Sequence, residues 1–110
     1  SEGVGRGRID IRQFVALSAA NAARIYGLYP RKGTIAVGSD ADLAVWDPAL
    51  ERTIRKEVLH DTMDYTPYEG MKVRGWPVAT ISRGEILWLN GEVMGKAGRG
   101  RFLPRRRSNF

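Results

Sequence analysis

GTIAVGSDADLAVWDP, residues 33–48, sets the fold class and raises a question of chemistry at once. It places Asp40, Asp42 and Asp47 within one short stretch. In a strand, Asp40 and Asp42 would share a face, because side chains alternate with period two. Two carboxylates on one face can hold a divalent cation through oxygen. The local pattern argues for a structural reading instead. Asp40 closes a Gly-Ser-Asp turn, where its side chain can bond the local backbone. Asp42 opens the apolar run Leu43-Ala44-Val45-Trp46, and Asp47 ends it just before Pro48. All three sit at strand boundaries, where Asp serves conformation. A continuous apolar run is expected to be buried on both faces. Thr34–Val37 reads as a short strand or an extended lead-in.

Downstream, Arg52–Arg55 reads as a further strand. Residues 56–71 have few periodic apolar positions and read as an ordered loop. Val78–Ile81 leads into Arg83-Gly84, Glu85–Leu89 leads into Asn90-Gly91, and Glu92-Val93-Met94 follows. Asn-Gly is the preferred type I′ turn, because both central residues need positive φ. Residues 78–94 are therefore expected to form a three-strand antiparallel meander. Beyond it, GKAGRGRFLPRRRSNF is an extended tail that needs another surface to order it.

Upstream, residues 9–27 carry an apolar stripe at helical spacing through Ile11, Phe14, Val15, Leu17, Ala22, Ile25 and Tyr26. Asp10 is a good N-cap, and Gln13 completes a capping box. Ser18 and Asn21 prefer caps to helix interiors, so two short helices with a break near 18–20 are expected. Gly27 suits the position after the helix, and Pro30 forbids continuation.

With 110 residues, the chain makes one small domain. No apolar run approaches the roughly 20 residues that span a bilayer, and SEGVGRGRID has no apolar segment of a signal peptide. The absence of cysteine excludes disulfides, thiolate ligands and a cysteine nucleophile. It is compatible with a reducing cytoplasm, the location expected. The net charge of +6 is uneven: Lys96, Arg99, Arg101, Arg105, Arg106 and Arg107 meet no acid after residue 95. Residues 1–95 are neutral, with twelve basic and twelve acidic side chains. A basic tail can meet phosphate or an acidic surface, which keeps open a small basic binding module whose Arg-rich tail contacts nucleic acid or an acidic partner.

Other candidates read blandly. His60 is the only histidine; a zinc site usually recruits two or three His or Cys, and no serine sits in a nucleophile elbow. A loop or interface role is expected for it. Gly5-Arg6-Gly7-Arg8 and Gly98-Arg99-Gly100-Arg101 lack the spacing of a phosphate loop or dinucleotide fingerprint. They read as solvated or interface segments. Trp46, Trp76 and Trp88 could stack on bases, but core or interface packing is expected: Trp46 in the apolar run, Trp88 in a hairpin strand, Trp76 in a loop-like stretch before Pro77.

Three longer stretches carry more. FVALSAANAARIYGLYPRKGTIAVGSDADLAVWDP, DYTPYEGMKVRGWPVATISRGEILWLNGEV and GRGRFLPR together resemble the C-terminal end of the cyclic amidohydrolases of the D-hydantoinase and dihydropyrimidinase branch. The resemblance runs from Ser1 to about Arg105. It implies an α+β fragment: terminal helices of a (β/α)8 barrel in 1–30, antiparallel strands of a composite β-sandwich in 31–95, and a basic oligomer-contact tail in 96–110. It implies a metal-dependent enzyme, usually a homotetramer, that hydrolyses the cyclic amide of hydantoins or dihydropyrimidines. The centre it implies is binuclear zinc, held by four histidines, a carboxylated lysine and an aspartate. A chain with one histidine cannot supply that set, so no catalytic, cofactor-binding or metal residue is assigned to it. The implied partners are the remainder of the barrel or neighbouring subunits, with no membrane and no nucleic acid. Without them the apolar faces should drive self-association.

Overall fold

The computed structural model describes residues 1–108. The helix begins where its cap predicts. Asp10 Oδ1 accepts the Gln13 N–H at 2.8 Å, and Gln13 Oε1 accepts the Asp10 N–H at 2.8 Å. Helix α1 is Ile11–Val15 and helix α2 is Asn21–Ile25. The expected break between them is instead one π-helical turn, Ala16–Ala20, so the backbone stays helical throughout. Ser18 marks the place, its hydroxyl donating to the Phe14 carbonyl at 2.7 Å, a back-bond that commonly bends helices. The end is a Schellman motif: Leu28 N–H donates to Ala23 C=O at 2.8 Å and Gly27 N–H to Arg24 C=O at 3.1 Å. Gly27 has φ +68°, the left-handed conformation this motif needs.

Four antiparallel strands form one sheet in chain order: β1 Leu43–Thr53, β2 Lys72–Ser82, β3 Glu85–Leu89 and β4 Glu92–Val93. The meander is as expected. Arg83 and Gly84 have φ 47° and 80°, and Asn90 and Gly91 have φ 49° and 97°, so both turns carry positive φ at each central residue.

Three strand expectations need correction. First, Leu43–Trp46 and Arg52-Thr53 belong to a single strand. Residues 48–50 bow out opposite Gly75, between the pairs Asp47↔Trp76 and Glu51↔Arg74. Pro48 has no N–H for a ladder, and Asp47 replaces the lost pairing by accepting the Ala49 and Leu50 N–H groups at 2.9 and 3.2 Å. Second, Trp76-Pro77 lies inside β2 and not in a loop. The register shifts there, from Val45↔Ala79 to Trp46↔Pro77, which absorbs the proline. Third, of the two readings of Thr34–Val37 the strand drops out and the lead-in holds, with Ile35 86% exposed.

The loop of residues 56–71 is ordered, with a short 3₁₀ turn at Lys56–Val58. Ile54 and Gly70 tie its ends, Glu69 caps Lys56 N–H at 2.9 Å, and Thr66 is buried. The tail, expected to be ordered only by another surface, has anchors on this chain. The Arg99 guanidinium donates to Glu85 at 2.9 Å and to the Ser82 carbonyl at 2.9 Å. Arg106 N–H donates to Gly27 C=O at 3.0 Å.

The core is very small. Ala23 and Ala79 are the only buried apolar residues among those described, and no large side chain is fully buried. The run Leu43–Trp46, expected to be buried on both faces, is not: Val45 and Trp46 are exposed, Trp46 at 48%. A compact monomer of 12.3 kDa exposes about 6,100 Å²; this chain exposes 8944 Å². Its radius of gyration is 15.8 Å, against about 13 Å for a compact domain of this length. The surplus area is of the order a permanent interface buries.

Candidate functional site

The carboxylates of the opening stretch converge on one lysine. Lys32, in the turn after Pro30, holds Asp40 at 2.8 Å and forms a close ion pair with Asp42. Arg31 Nε donates to the same Asp40 oxygen at 3.1 Å. The Asp40 side chain thus bonds cations and not the local backbone, as the turn had suggested. Asp42 also accepts the Arg83 N–H at 2.8 Å, and Gly84 N–H donates to Ala41 C=O at 3.0 Å. These bonds fasten the start of β1 to the β2–β3 turn. The Lys32 ammonium holds both carboxyls below their ordinary pKa. Burial opposes charge on Lys32, but the hydrogen bonds it donates to Asp40 and Asp42, with their negative charge, outweigh it and raise its pKa. Carboxylates held this way are poor bases: one oxygen of each faces a cation, and the second oxygen of Asp42 accepts a backbone N–H. Asp47 caps the β1 bulge. The three acids therefore build the strand and its joints.

His60 meets Trp88. The Trp88 indole N–H donates to His60 Nε2 at 3.1 Å, with the rings edge to face at 6.4 Å between centroids. An Nε2 that accepts leaves the proton on Nδ1. His60, Trp76 and Trp88 line one cavity of about 400 Å³ with Arg52 and Glu57. His60 lies in the loop between β1 and β2, where a loop or interface role was expected. Trp46 packs edge to face on Phe14, 5.9 Å between centroids. Phe14 thereby anchors the helix to the sheet beside an apolar cavity of about 370 Å³ that Ile11 and Val4 also line.

The two Gly-Arg runs, alike in sequence, differ in structure. Among the described residues Arg6 and Arg8 pair only with Glu2, at 3.2 and 4.0 Å, on the surface. Arg99 instead clamps the β2–β3 hairpin, which the sequence reading missed. The signal was available only as a lone Arg in a Gly-rich run; its partners Ser82 and Glu85 lie far upstream.

A sequence profile of the amidohydrolase family matches residues 2–87. The chain belongs to the amidohydrolase family. It is 49% identical over 105 residues to the D-hydantoinase of Geobacillus stearothermophilus, covering 96% of this chain and 22% of that one. It is 46% identical over 104 residues to the dihydropyrimidinase of Rattus norvegicus, covering 94% and 20%. The solved D-hydantoinase of Bacillus sp. AR9 superposes with a TM-score of 0.92 at 48% identity, covering 96% of this chain and 23% of that chain. This amidohydrolase chain thus spans about a fifth of the length of the relatives it matches.

The residues of this amidohydrolase chain do not fit the binuclear centre that the sequence resemblance implied. The one histidine has its Nε2 engaged by Trp88. Asp40 and Asp42 are neutralised by Lys32. No three His, Cys, Asp or Glu side chains cluster among the described residues. No helix among them is long and apolar enough to cross a membrane.

Proposed function

We propose that this chain is the C-terminal part of a metal-dependent cyclic amidohydrolase that opens the ring amide of hydantoins or dihydropyrimidines. The observation that carries the reading is the joint match in sequence and fold to a D-hydantoinase: 48% identity at TM-score 0.92 over nearly the whole chain. In this reading residues 1–30 are the last helices against a (β/α)8 barrel, residues 31–95 are strands of a composite sandwich, and residues 96–110 are a tail at a subunit contact. The zinc ligands and the proton-moving aspartate belong to the rest of the protein. The chain's own part is to cover that body and join it to its neighbours in a homo-oligomer, in the cytoplasm. The surface surplus supports this. Ile11, Val15, Leu17 and Ile25 leave the apolar stripe of the helix exposed, and a stripe of that kind is built to face a partner layer.

The test exchanges segments. The matching C-terminal segment of the Geobacillus stearothermophilus D-hydantoinase is replaced by this chain, and hydantoin and dihydrouracil opening are followed. Ring opening within tenfold of the parent is expected from the chimera, and none from the 110-residue chain with zinc. A folded, metal-loaded but inactive chimera, or hydrolysis by the chain alone, overturns the reading.

A further inference from the structure

The tail, the β2–β3 turn and Lys32 border an open concavity of about 520 Å³, and five cations line it: Lys32, Arg83, Lys96, Arg99 and Arg101. Acids answer only two of them. Lys32 is neutralised by Asp40 and Asp42, and Arg99 by Glu85. Arg83 donates its guanidinium to the Arg99 carbonyl, a neutral acceptor. Lys96 and Arg101 meet no carboxylate among the described residues. Three cations facing one concavity without counter-charge repel one another, and a cleft concentrates that field. The arrangement is also fixed. Asp42 holds the Arg83 backbone, and Arg99 pins the tail to Ser82 and Glu85. Gly98 and Gly100 in the wall leave room for a ligand to approach the backbone.

We propose that this cavity is a binding site for a small phosphate-class oxyanion, held by Arg83, Lys96 and Arg101. Phosphate suits it better than a monocarboxylate. It brings about two negative charges and several acceptor oxygens, and guanidinium forks match its geometry. Arg83 also donates to the Arg99 carbonyl, so the same guanidinium joins the tail to the hairpin beside the site. The inference rests on this chain's own side chains and needs no ring-opening activity, but it requires Lys96 and Arg101 to stay open to ligand beside the subunit contact proposed for the tail.

The experiment is calorimetric titration of the full chain with inorganic phosphate at constant ionic strength in chloride, with acetate as the second arm. Saturable phosphate binding is expected, at least tenfold tighter than acetate. Lys96→Gln together with Arg101→Gln should weaken it at least tenfold, while Arg52→Gln, in the Trp88 cavity, should leave it unchanged. Both substituted residues are exposed, and circular dichroism checks that the fold persists. A measurement without variants runs alongside: phosphate should protect Lys96 from acetylation more than Lys72, read by mass spectrometry. A non-saturating response, equal affinity for acetate, an unaffected double variant, or equal protection of Lys72 overturns the proposal.

Discussion

The β2–β3–β4 meander and the segment from α1 to the start of β1 are built on opposite logics. In the meander each strand finds its partner across a turn of two residues, and the turn residues Arg83-Gly84 and Asn90-Gly91 set the geometry. In the helix and its lead-in, the apolar residues Ile11, Val15, Leu17, Ile35 and Val37 find nothing to cover them. Pairing is a local instruction; burial depends on what lies opposite. A hairpin can therefore be complete in a chain whose core is not.

The sharpest way to break the contrast is through glycines of similar φ. Gly33 has φ +81°, and an added Cβ would lie 2.4 Å from the Cβ of buried Ala23. Gly91 has φ +97° with nothing within 4 Å. Gly33→Ala should cost about 2–4 kcal/mol in urea unfolding, since it adds a clash to left-handed strain. Gly91→Ala should cost about 1–2 kcal/mol, the strain alone. Equal losses would mean that the lead-in is not packed on the helix.

Asp47→Ala comes next. It removes the acceptor of two backbone N–H groups at the bulge, and about 1–2 kcal/mol should be lost. Amide exchange should rise at Ala49 and Leu50 and stay unchanged in β3.

The Lys32 junction gives a pH signature. Asp40 and Asp42 have folded pKa values below 3.8, so their contribution is present above that value and fades as pH falls through the folded pKa values. Lys32 is raised above 10.5, so its contribution is full below that pH and is lost as pH climbs through the raised value. Lys32→Met should flatten the stability profile at both ends and leave the hairpin turns intact by NMR. A profile unchanged by the substitution would remove the junction from the account.

The smallest effect belongs to the uncovered surface. Ile35→Ser should change unfolding stability by under about 0.5 kcal/mol, yet lower self-association in sedimentation. A large loss of stability would show that Ile35 is covered after all.

How much could be read in advance follows from the same contrast. The Asp10/Gln13 cap, the Gly27 stop and both hairpin turns rest on neighbours within a few residues, and each was legible. The unbroken path of β1 was not, because Pro48 reads as a stop unless one knows that Asp47 will accept the Ala49 and Leu50 amides. The exposure of Val45 and Trp46 was equally invisible, since an apolar run does not say what lies over it. At the candidate site the three acids were read as parts of the strand and its turns, but their partner Lys32 went unnoticed. The Arg99 clamp and the basic cavity were hidden because they join segments far apart in sequence. The amidohydrolase family was legible through longer stretches, such as DYTPYEGMKV and GRGRFL.

The bond from Arg106 to Gly27, joined by that from the Ser108 hydroxyl to Arg24 C=O at 3.2 Å, has a consequence for biosynthesis. Translation proceeds from the amino end, so α2 and its Schellman end leave the ribosome long before the tail. A nascent polypeptide stalled short of Arg106 would carry that helix already closed, and only the completed stretch would lay the tail across its end.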